Sequence, residues 1–384
     1  MPSNRIIEDI FEHRLSFLPG DPCEPDDVLS HFADSILIDG LTREESELVL
    51  SALPRNSKRI YLNPLDKGLS EAKVYAGRYE TDGTLSKPYV FKIGPLTKIE
   101  REYEAMERRV CPHISCVERP IPRRATEKGM IIQPLAGLNP RSQLKSLKDY
   151  ARTSNPEIVT RLLAERLAPW YDRVRDESPG TRKPLGILFE WYLTKVQQPD
   201  TFPADWSELK EWVRQLTGHA WCDVPQVMKS LAEHELTFKP AIIHGDLHSQ
   251  NVLVDEKEEC WPIDFYWCNA DSTPLMDFAM LECSLKFLAI HHRSDLRSII
   301  EVENILAREP IPTITLQNLP YRSEIGNALR SVIAVRKHAL DTLAYRFDDY
   351  RKVLSLMTYV HSTHPLLNRP FVLASLQILS ALQL

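Results

Sequence analysis

The chain has 384 residues, of which 43% are hydrophobic and 26% charged, as in an ordinary globular protein long enough for two or three compact units. Its 28 prolines outnumber its 13 glycines, which excludes a glycine-rich linker protein or a fibrous repeat. The formal net charge of −6 lacks the basic excess that binding to a nucleic-acid backbone requires, so we expect no nucleic-acid partner.

The N-terminal part, residues 1–58, is predicted to be an acidic helical extension. Residues 1–50 contain twelve Asp or Glu and only three Arg. Amphipathic segments lie at residues 28–37 and 44–53, and Thr42 precedes Glu45 by the spacing of a capping box. The excess of negative charge makes this extension a candidate surface for a protein partner.

The sequence also gives an expectation for location. It shows no apolar leader and no stretch of roughly 18 apolar residues that would span a membrane. Its seven cysteines are odd in number and scattered, which is typical of reduced thiols. We therefore expect a cytoplasmic protein with no membrane partner.

Residues 59–137 have the pattern of a small lobe that contains strands and one helix. Ile99, Tyr103, Met106 and Val110 recur at helical spacing. Short extended runs bounded by turn-forming residues predict strands at residues 59–62, 73–79, 88–93 and 129–132.

Residues 138–384 are predicted to be mostly helical. Amphipathic runs lie at residues 156–173, 207–216, 225–236 and 274–288. One interruption has short apolar strands at residues 241–243, 252–254 and 261–263, of which the last two flank a charged turn as in a hairpin.

The segment with the most chemical information is residues 242–265, IIHGDLHSQNVLVDEKEECWPIDF. Asp246 is followed five residues later by Asn251, and the predicted hairpin leads from there to Asp264. A phosphoryl-transfer site needs a carboxylate that accepts the proton of the attacking hydroxyl, and hard oxygen ligands that hold Mg²⁺ beside the phosphates. The three side chains fit these roles in that order.

These loops resemble those of the aminoglycoside phosphotransferase and choline kinase group, whose catalytic loop reads HGDxxxxN and whose metal loop reads IDF or IDW. The resemblance covers about residues 59–290. It implies an α+β, bilobal protein-kinase-like fold with a small antiparallel-sheet N-lobe and a mostly helical C-lobe. It further implies that Asp246 is the catalytic base, Asn251 a Mg²⁺ ligand and Asp264 the main Mg²⁺ ligand, with ATP or GTP as co-substrate.

An N-lobe of this kind must supply a lysine for the nucleotide phosphates and a glutamate that holds it. Lys92 lies inside an apolar strand, where an unpaired ammonium group would be costly, and we predict it to be the phosphate ligand. On the following helix Glu102 flanks the apolar face and is the preferred partner. Glu100 and Glu104 remain alternatives.

Further nucleotide contacts are expected in two loops. Gly68 would let the backbone turn close to the phosphates, with Ser70 as a hydroxyl donor; a plain hairpin turn without a ligand is the alternative. By the resemblance, the hinge between the lobes would offer the Gln133 carbonyl to the adenine amino group and the Leu135 N–H to a ring nitrogen.

Two residues are predicted to support the loops. His244 is expected to pack and to hydrogen-bond within the catalytic loop, without binding a metal. Asp277 resembles a family carboxylate that buttresses this loop. Residues 92–95 and 277–282 also resemble a kinase-like domain described as ternary-complex-associated in bacterial multidomain proteins, which fixes no substrate.

The predicted function is a Mg²⁺-dependent phosphotransferase that moves the nucleotide γ-phosphate to a hydroxyl of a small molecule. A pseudokinase-type regulatory or interaction module is one alternative, favoured by the single-glycine loop and by Tyr266 in place of a glycine. A protein-directed kinase is another, although it would need a longer segment after Asp264. Candidates for the wall of an acceptor site, by residue type only, are Tyr266, Trp267, Asp271, Asp341, Asp348 and Asp349; a solvated helix face is the alternative for the last three.

Overall fold

The computed structural model divides the chain into two compact units, Met1–Gln143 with Phe265–Cys268, and Leu144–Asp264 with Asn269–Leu384. The predicted lobe boundary at residues 137 and 138 lies outside the described residues, so it stays a prediction. The structure describes residues 5–6, 40–54, 56–64, 72–112, 120–134, 145–153, 157–168, 170–171, 180–194, 207–218, 222–255, 257–290, 296–310, 324–342, 344–362, 367 and 369–383.

A seven-stranded antiparallel sheet forms most of the first unit, in the order β1-β2-β3-β5-β7-β6, with β4 paired to β3. The four strands predicted from the sequence are confirmed as β2, β3, β5 and β7. The strands that were not predicted are short, and β6 reads Ile-Pro-Arg-Arg, which has little apolar alternation. The bounds are β1 Arg5–Ile6, β2 Ser57–Pro64, β3 Lys73–Thr81, β4 Thr84–Leu85, β5 Tyr89–Pro95, β6 Ile121–Arg124 and β7 Lys128–Pro134.

Helix α1 (Arg43–Ser51) covers one face of this sheet. It begins with the predicted capping box, in which Thr42 accepts from the Glu45 N–H and Glu45 accepts from the Thr42 N–H. Its Leu48 and Val49 belong to a buried cluster with apolar residues of β2, β5 and β7. The helix is therefore part of the core of the first unit, and its apolar face packs against the sheet.

Helix α2 (Leu96–Ala105), continued by a π-helical segment at Met106–Val110, packs on the sheet through Ile99. A Cβ on Gly129 of β7 would lie 2.9 Å from Ile99 Cγ2, so glycine permits the close approach of strand and helix. The residues of β5 from Val90 to Gly94 are all buried, and a charged residue in this strand must therefore find a partner within the fold.

The second unit is mostly helical, as predicted. Its short strands pair as β9 with β10, β11 with β14, and β12 with both β8 and β13. Its strands are β8 Lys145–Ser146, β9 Thr181–Pro184, β10 Glu235–Phe238, β11 Ala241–Ile243, β12 Val252–Val254, β13 Cys260–Pro262 and β14 Asn269–Ser272.

The helices of this unit include the four predicted runs as far as the structure describes them, since residues 156, 169, 172 and 173 of the first run lie outside the described ranges. The predicted helix at residues 225–236 is wrong at its end, because His234 is extended and Glu235 begins a strand. The helices are α3 Leu147–Thr153, α4 Glu157–Arg161 with a π-helical continuation Leu162–Leu167, α5 Leu185–Leu188, α6 Glu190–Leu193, α7 Ser207–Thr217, α8 Val224–Glu233, α9 Pro274–Phe287, α10 Leu296–Arg308, α11 Glu324–Lys337 with a π-helical continuation His338–Thr342, α12 Phe347–His361 and α13 Arg369–Ala381.

Helix α9 is buried along its whole length, so its charged side chains require partners. Lys286 Nζ lies 2.8 Å from Glu282 Oε1 and 2.9 Å from Glu303 Oε1 of α10. Arg336 of α11 lies 2.6 Å from Glu282 Oε1, and the Tyr350 hydroxyl of α12 donates to Glu282 Oε2 at 2.7 Å. We call these five residues the buried ion cluster. Its two acids and two bases balance, so it joins four helices without net charge.

Among the helices in the described ranges, none combines the length and the apolar character needed to cross a bilayer.

Candidate active site

The loop that carries Asp246 begins where the buried strand β11 ends. Gly245 has a φ of +80°, a conformation that glycine adopts without a Cβ penalty. The backbone N–H groups of His244 and Gly245 then donate to the two carboxylate oxygens of Asp277, at 2.7 Å and 2.9 Å. The turn before Asp246 is therefore held by a carboxylate from the first turn of α9.

Asp277 is fully buried and also accepts the Tyr171 hydroxyl at 2.8 Å. Burial raises the pKa of Asp277 to about 6, with a further rise from the charge of Asp246, and the bonds from His244, Tyr171 and Gly245 oppose this rise. At neutral pH the side chain is thus an ionised carboxylate that accepts three hydrogen bonds. This arrangement agrees with the supporting role predicted for it.

The His244 ring connects the loop that carries Asp246 to the loop that carries Asp264 within the second unit. Its Nδ1 accepts the Asp246 N–H at 3.3 Å, and its Nε2 lies 2.9 Å from the Ile263 carbonyl oxygen. Because Nδ1 acts as an acceptor, the neutral ring carries its proton on Nε2 and donates it to Ile263. The predicted bracing role of His244 thus has a defined geometry.

Asn251 joins the two loops a second time. Its side-chain nitrogen donates to the Asp246 carbonyl oxygen at 2.9 Å and lies 3.5 Å from Asp246 Oδ2. The backbone carbonyl oxygen of Asn251 accepts the Ile263 N–H at 2.9 Å, which extends the β12–β13 ladder by one residue. Asp264 is the next residue along the chain. The hairpin therefore places the two predicted metal ligands at the same end.

Asp264 has a φ of +66°, in the left-handed region that Asp tolerates better than most residues, at a cost on the order of 1 kcal/mol. The two bonds that Ile263 makes to Asn251 and His244 hold the chain immediately before it. Residues in such conformations cluster at functional sites, where the surrounding structure enforces them.

A carboxylate and an amide oxygen are a suitable donor set for Mg²⁺, which prefers hard oxygen ligands and retains several waters. Because the Asn251 amide nitrogen donates to Asp246, the amide oxygen of Asn251 is the atom that can bind a metal. Within the described residues, His, Cys, Asp and Glu do not form a cluster of three or more that could hold a metal ion. An ion that also binds nucleotide phosphates needs fewer protein ligands than such a cluster supplies.

The Asp246 side chain is 28% exposed, so its carboxylate is open to a reacting group. His248 Nε2 lies 3.8 Å from Asp246 Oδ2, and His248 Nδ1 accepts the Gln250 N–H at 3.3 Å. The Asp246 carboxylate is thus partly exposed, while the backbone N–H and carbonyl oxygen of Asp246 are held by hydrogen bonds to His244 and Asn251.

In the first unit, Lys92 of β5 pairs with Glu102 of α2, and Nζ lies 2.7 Å from Oε2. Their side chains are only 10% and 4% exposed. Of the two alternative partners that the sequence left open, Glu100 pairs with Arg124 at 3.2 Å, and Glu104 is exposed. The buried carboxylate beside Lys92 is therefore that of Glu102.

Helix α2 also binds the segment Phe265–Cys268, which belongs to the first unit. Glu102 Oε1 accepts the Phe265 N–H at 3.2 Å, and Arg109 Nη1 donates to the Cys268 carbonyl oxygen at 2.6 Å. The Arg101 guanidinium lies 4.8 Å from the Tyr266 ring centre and 5.0 Å from that of Trp267. Both aromatic residues, considered above as walls of an acceptor site, thus contact a cation of the chain itself.

The remaining nucleotide contacts can be located only in part. Gln133 is buried in β7 opposite Val90 of β5. Gly68, Ser70 and Leu135 lie outside the described residues, so their predicted roles stay predictions.

Two tyrosines that support the loop around Asp246 were not predicted from the sequence. Tyr171 donates to Asp277, and Tyr192 donates to the Gly245 carbonyl oxygen. Both lie on helices distant in sequence from the loop, and no spacing signals their contacts. The sequence feature that points to these tyrosines is the high content of aromatic residues in residues 170–192.

Comparison with solved structures finds several kinases of small molecules at low similarity. An ethanolamine kinase of Plasmodium vivax is 13% identical, with 82% of this chain and 81% of that chain covered and a TM-score of 0.35. The choline kinase LicA of Streptococcus pneumoniae is 11% identical, with 78% and 93% covered and a TM-score of 0.37. An aminoglycoside phosphotransferase of Alicyclobacillus acidocaldarius is 14% identical, with 82% and 91% covered and a TM-score of 0.32. None of the curated proteins matches the sequence.

Two family profiles match the sequence itself. The profile described as ternary complex associated domain 9 matches residues 208–364. The profile described as phosphotransferase enzyme family matches residues 62–282, which include β5, α2 and both loops around Asp246 and Asp264. This second match spans more than half of the chain, and the protein therefore belongs to the phosphotransferase enzyme family.

Proposed function

We propose that the protein is a Mg²⁺-dependent phosphotransferase that moves the γ-phosphoryl group of ATP or GTP to a hydroxyl of a small molecule. The observation that carries this proposal is the joint placement of Asp246, Asn251 and Asp264 by one hydrogen-bonded pair of loops. A carboxylate beside two oxygen ligands for a metal is what phosphoryl transfer to a hydroxyl requires.

Asp246 is proposed to accept the proton of the acceptor hydroxyl as its oxygen attacks the γ-phosphorus. The bond between the γ-phosphorus and the bridging oxygen then breaks, the nucleoside diphosphate leaves, and the proton stays on the Asp246 carboxyl until solvent removes it. The loop contributes by orientation, because the peptide groups around Asp246 are hydrogen-bonded to Asp277 and His244.

Asn251 and Asp264 are proposed to hold Mg²⁺, which would neutralise charge on the phosphates. Lys92 is proposed to bind the phosphates of the nucleotide, with its ammonium oriented by Glu102. The Gln133 carbonyl and the Leu135 N–H are proposed to bind adenine, and Gly68 and Ser70 to approach the phosphates.

A small molecule is favoured over a protein as the acceptor. The chain between Asp264 and the start of α9 at Pro274 contains nine residues, and four of them form β14. This segment is too short to form an extended docking surface for a peptide.

The proposal is tested by incubating the protein with MgATP or MgGTP and pools of hydroxyl-bearing metabolites, with mass spectrometry to detect phosphorylated products. Wild type should phosphorylate at least one pool, and the Asp246→Asn variant should not. Phosphorylation that persists in Asp246→Asn, or binding of nucleotide by the wild type without turnover in any pool, would contradict the proposal and favour the regulatory module.

A further inference from the structure

The peptide group between Gly245 and Asp246 is hydrogen-bonded at both of its polar atoms. Its oxygen accepts the hydroxyl of Tyr192, and its N–H donates to His244 Nδ1 at 3.3 Å. The preceding peptide is fixed as well, because the Gly245 N–H donates to Asp277 Oδ1 at 2.9 Å. With a φ of +80° at Gly245, other orientations of this peptide are accessible to the free chain. The bond from Tyr192 selects one of them.

The Tyr192 ring is itself held in place. It is buried in α6 and packs against Phe189, with ring centres 5.9 Å apart, and edge-to-face against Trp191 at 4.9 Å. Such aromatic contacts restrict the orientation of the ring. These ring contacts therefore restrict the position of the Tyr192 hydroxyl.

The hydroxyl can act only as a donor toward a carbonyl oxygen, so it must keep its proton. Burial raises the pKa of Tyr192 well above its usual value, and the charges of Asp246 and Asp277 raise it further.

We propose that Tyr192 is a positioning residue for Asp246, which acts by fixing the oxygen of the Gly245–Asp246 peptide. The proposal rests on the proposed function in so far as Asp246 is the catalytic base. Tyr192 touches the backbone of the loop and no reacting atom, so its loss should lower kcat and leave the affinity for nucleotide unchanged.

The test compares Tyr192→Phe with Tyr350→Phe. Both tyrosines are buried, and both hydroxyls donate to an oxygen of the second unit, but Tyr350 belongs to the buried ion cluster and not to the catalytic loop. Each substitution keeps the ring and removes one buried hydrogen bond, and Tyr350→Phe should cost at least as much stability as Tyr192→Phe, because its bond goes to the Glu282 carboxylate. Tyr350→Phe is thus the matched control for a loss of stability alone.

Amide hydrogen exchange tests the anchoring without any need for activity. Exchange in a peptide that covers residues 242–251 should become at least several-fold faster in Tyr192→Phe, and should stay as in wild type in Tyr350→Phe. Unchanged exchange in Tyr192→Phe would overturn the positioning role, whether or not the protein is an active kinase.

Turnover of the Mg²⁺–nucleotide complex tests the consequence for Asp246. Tyr192→Phe should lower kcat by about 5- to 50-fold with the KM for nucleotide within twofold, as expected for a misplaced catalytic group. Tyr350→Phe should leave kcat within twofold. In an Asp246→Asn background, Tyr192→Phe should have no further effect on kcat. Equal losses of kcat in the presence and absence of Asp246 would overturn the proposal, whereas absence of turnover in wild type would overturn the proposed function instead.

Discussion

The Lys92 ammonium and the Glu102 carboxylate form a buried ion pair at 2.7 Å, and the second oxygen of Glu102 accepts the Phe265 N–H at 3.2 Å. One carboxylate therefore binds both a lysine of β5 and the backbone of the segment that begins directly after Asp264. A substitution at Glu102 that removes this acceptor oxygen should affect more than the position of Lys92, whereas Gln keeps an oxygen that can accept the Phe265 N–H.

Lys92→Met keeps an unbranched side chain of similar length and removes the charge. We expect kcat/KM for the nucleotide to fall by about 10²-fold, because a cation that stabilises the phosphates is lost. Glu102→Gln should cost less, since it weakens the orientation of Lys92 without removing the ammonium. Steady-state kinetics of the two single variants and the double variant measure these losses.

The losses in the Lys92→Met, Glu102→Gln double variant should be far from additive, because Glu102 has no lysine to orient once Lys92 is gone. Glu100→Gln is the matched control: it lies on the same helix, and its carboxylate is 39% exposed and paired with Arg124. Additive losses in log kcat/KM, or a larger effect of Glu100→Gln than of Glu102→Gln, would contradict the assignment of the pair.

Asp264→Asn should abolish Mg²⁺-dependent binding of nucleotide, because the metal loses its charged ligand. Asn is preferred to Ala for this test, since Asn also tolerates the φ of +66° found at this position. Calorimetric titration of nucleotide with and without Mg²⁺ measures the effect. Equal Mg²⁺ dependence in Asp264→Asn and wild type would remove Asp264 from the metal site.

The loops around Asp246 and Asp264 could be recognised from the sequence because the residues proposed to carry their function stand at short, fixed spacings. The strands β2, β3, β5 and β7 could be predicted because apolar runs between turn residues are local signals. Tyr171 and Tyr192 could not, because their partners, Asp277 and the Gly245 carbonyl oxygen, lie 106 and 53 residues away in the sequence. A hydrogen bond through a single hydroxyl also leaves no periodic pattern.

The buried ion cluster shows a second limit of sequence reasoning. Glu282 and Lys286 are four residues apart on α9, a spacing typical of a solvent-exposed helix face. Lys286 also pairs with Glu303 of α10, so the buried group is neutral only because Arg336, 54 residues after Glu282, adds a second cation. Such compensation depends on tertiary packing, and local sequence does not record it.

Asp277 should make a recognisable contribution to stability as a function of pH. Burial raises its pKa in the folded protein to about 6, above the usual value of 3.8. The folded state therefore binds a proton more tightly than the unfolded state between these values, and this group lowers the free energy of unfolding as pH rises from about 4 to 6. Above about pH 6 its contribution is constant.

Denaturant unfolding of wild type and Asp277→Asn across pH 4 to 7 measures this contribution. The difference in unfolding free energy between the two proteins should change over that window, by an amount on the order of 2–3 kcal/mol. A difference that stays constant from pH 4 to 7 would show that Asp277 has an ordinary pKa in the folded protein.

Lys286→Met should destabilise the protein by about 3–5 kcal/mol, because it leaves two buried carboxylates with one cation. Although burial alone would raise the pKa of Glu282, Arg336 and Lys286 hold it at about 2. In wild type the resulting stabilisation is present above about pH 4.5 and is lost as pH falls toward 2. In Lys286→Met, the free energy of unfolding should depend less strongly on pH between about 4.5 and 2.

Arg297→Met is the matched control for Lys286→Met, since Arg297 pairs with Glu301 at 3.4 Å with its side chain 75% exposed. Its cost should stay within about 0.5 kcal/mol. Denaturant unfolding at pH 7 compares the two variants. Equal costs would show that the buried ion cluster contributes no more than a surface pair.

The most direct test of the proposed phosphotransferase activity is the rate of Mg²⁺-dependent nucleotide turnover in Asp246→Asn relative to wild type. The substitution keeps the shape of the side chain but removes the proton acceptor, so kcat should fall by a factor of about 10²–10⁴, with the dissociation constant of the Mg²⁺–nucleotide complex within twofold of wild type. A kcat within twofold of wild type would contradict the assignment of Asp246 as the catalytic base.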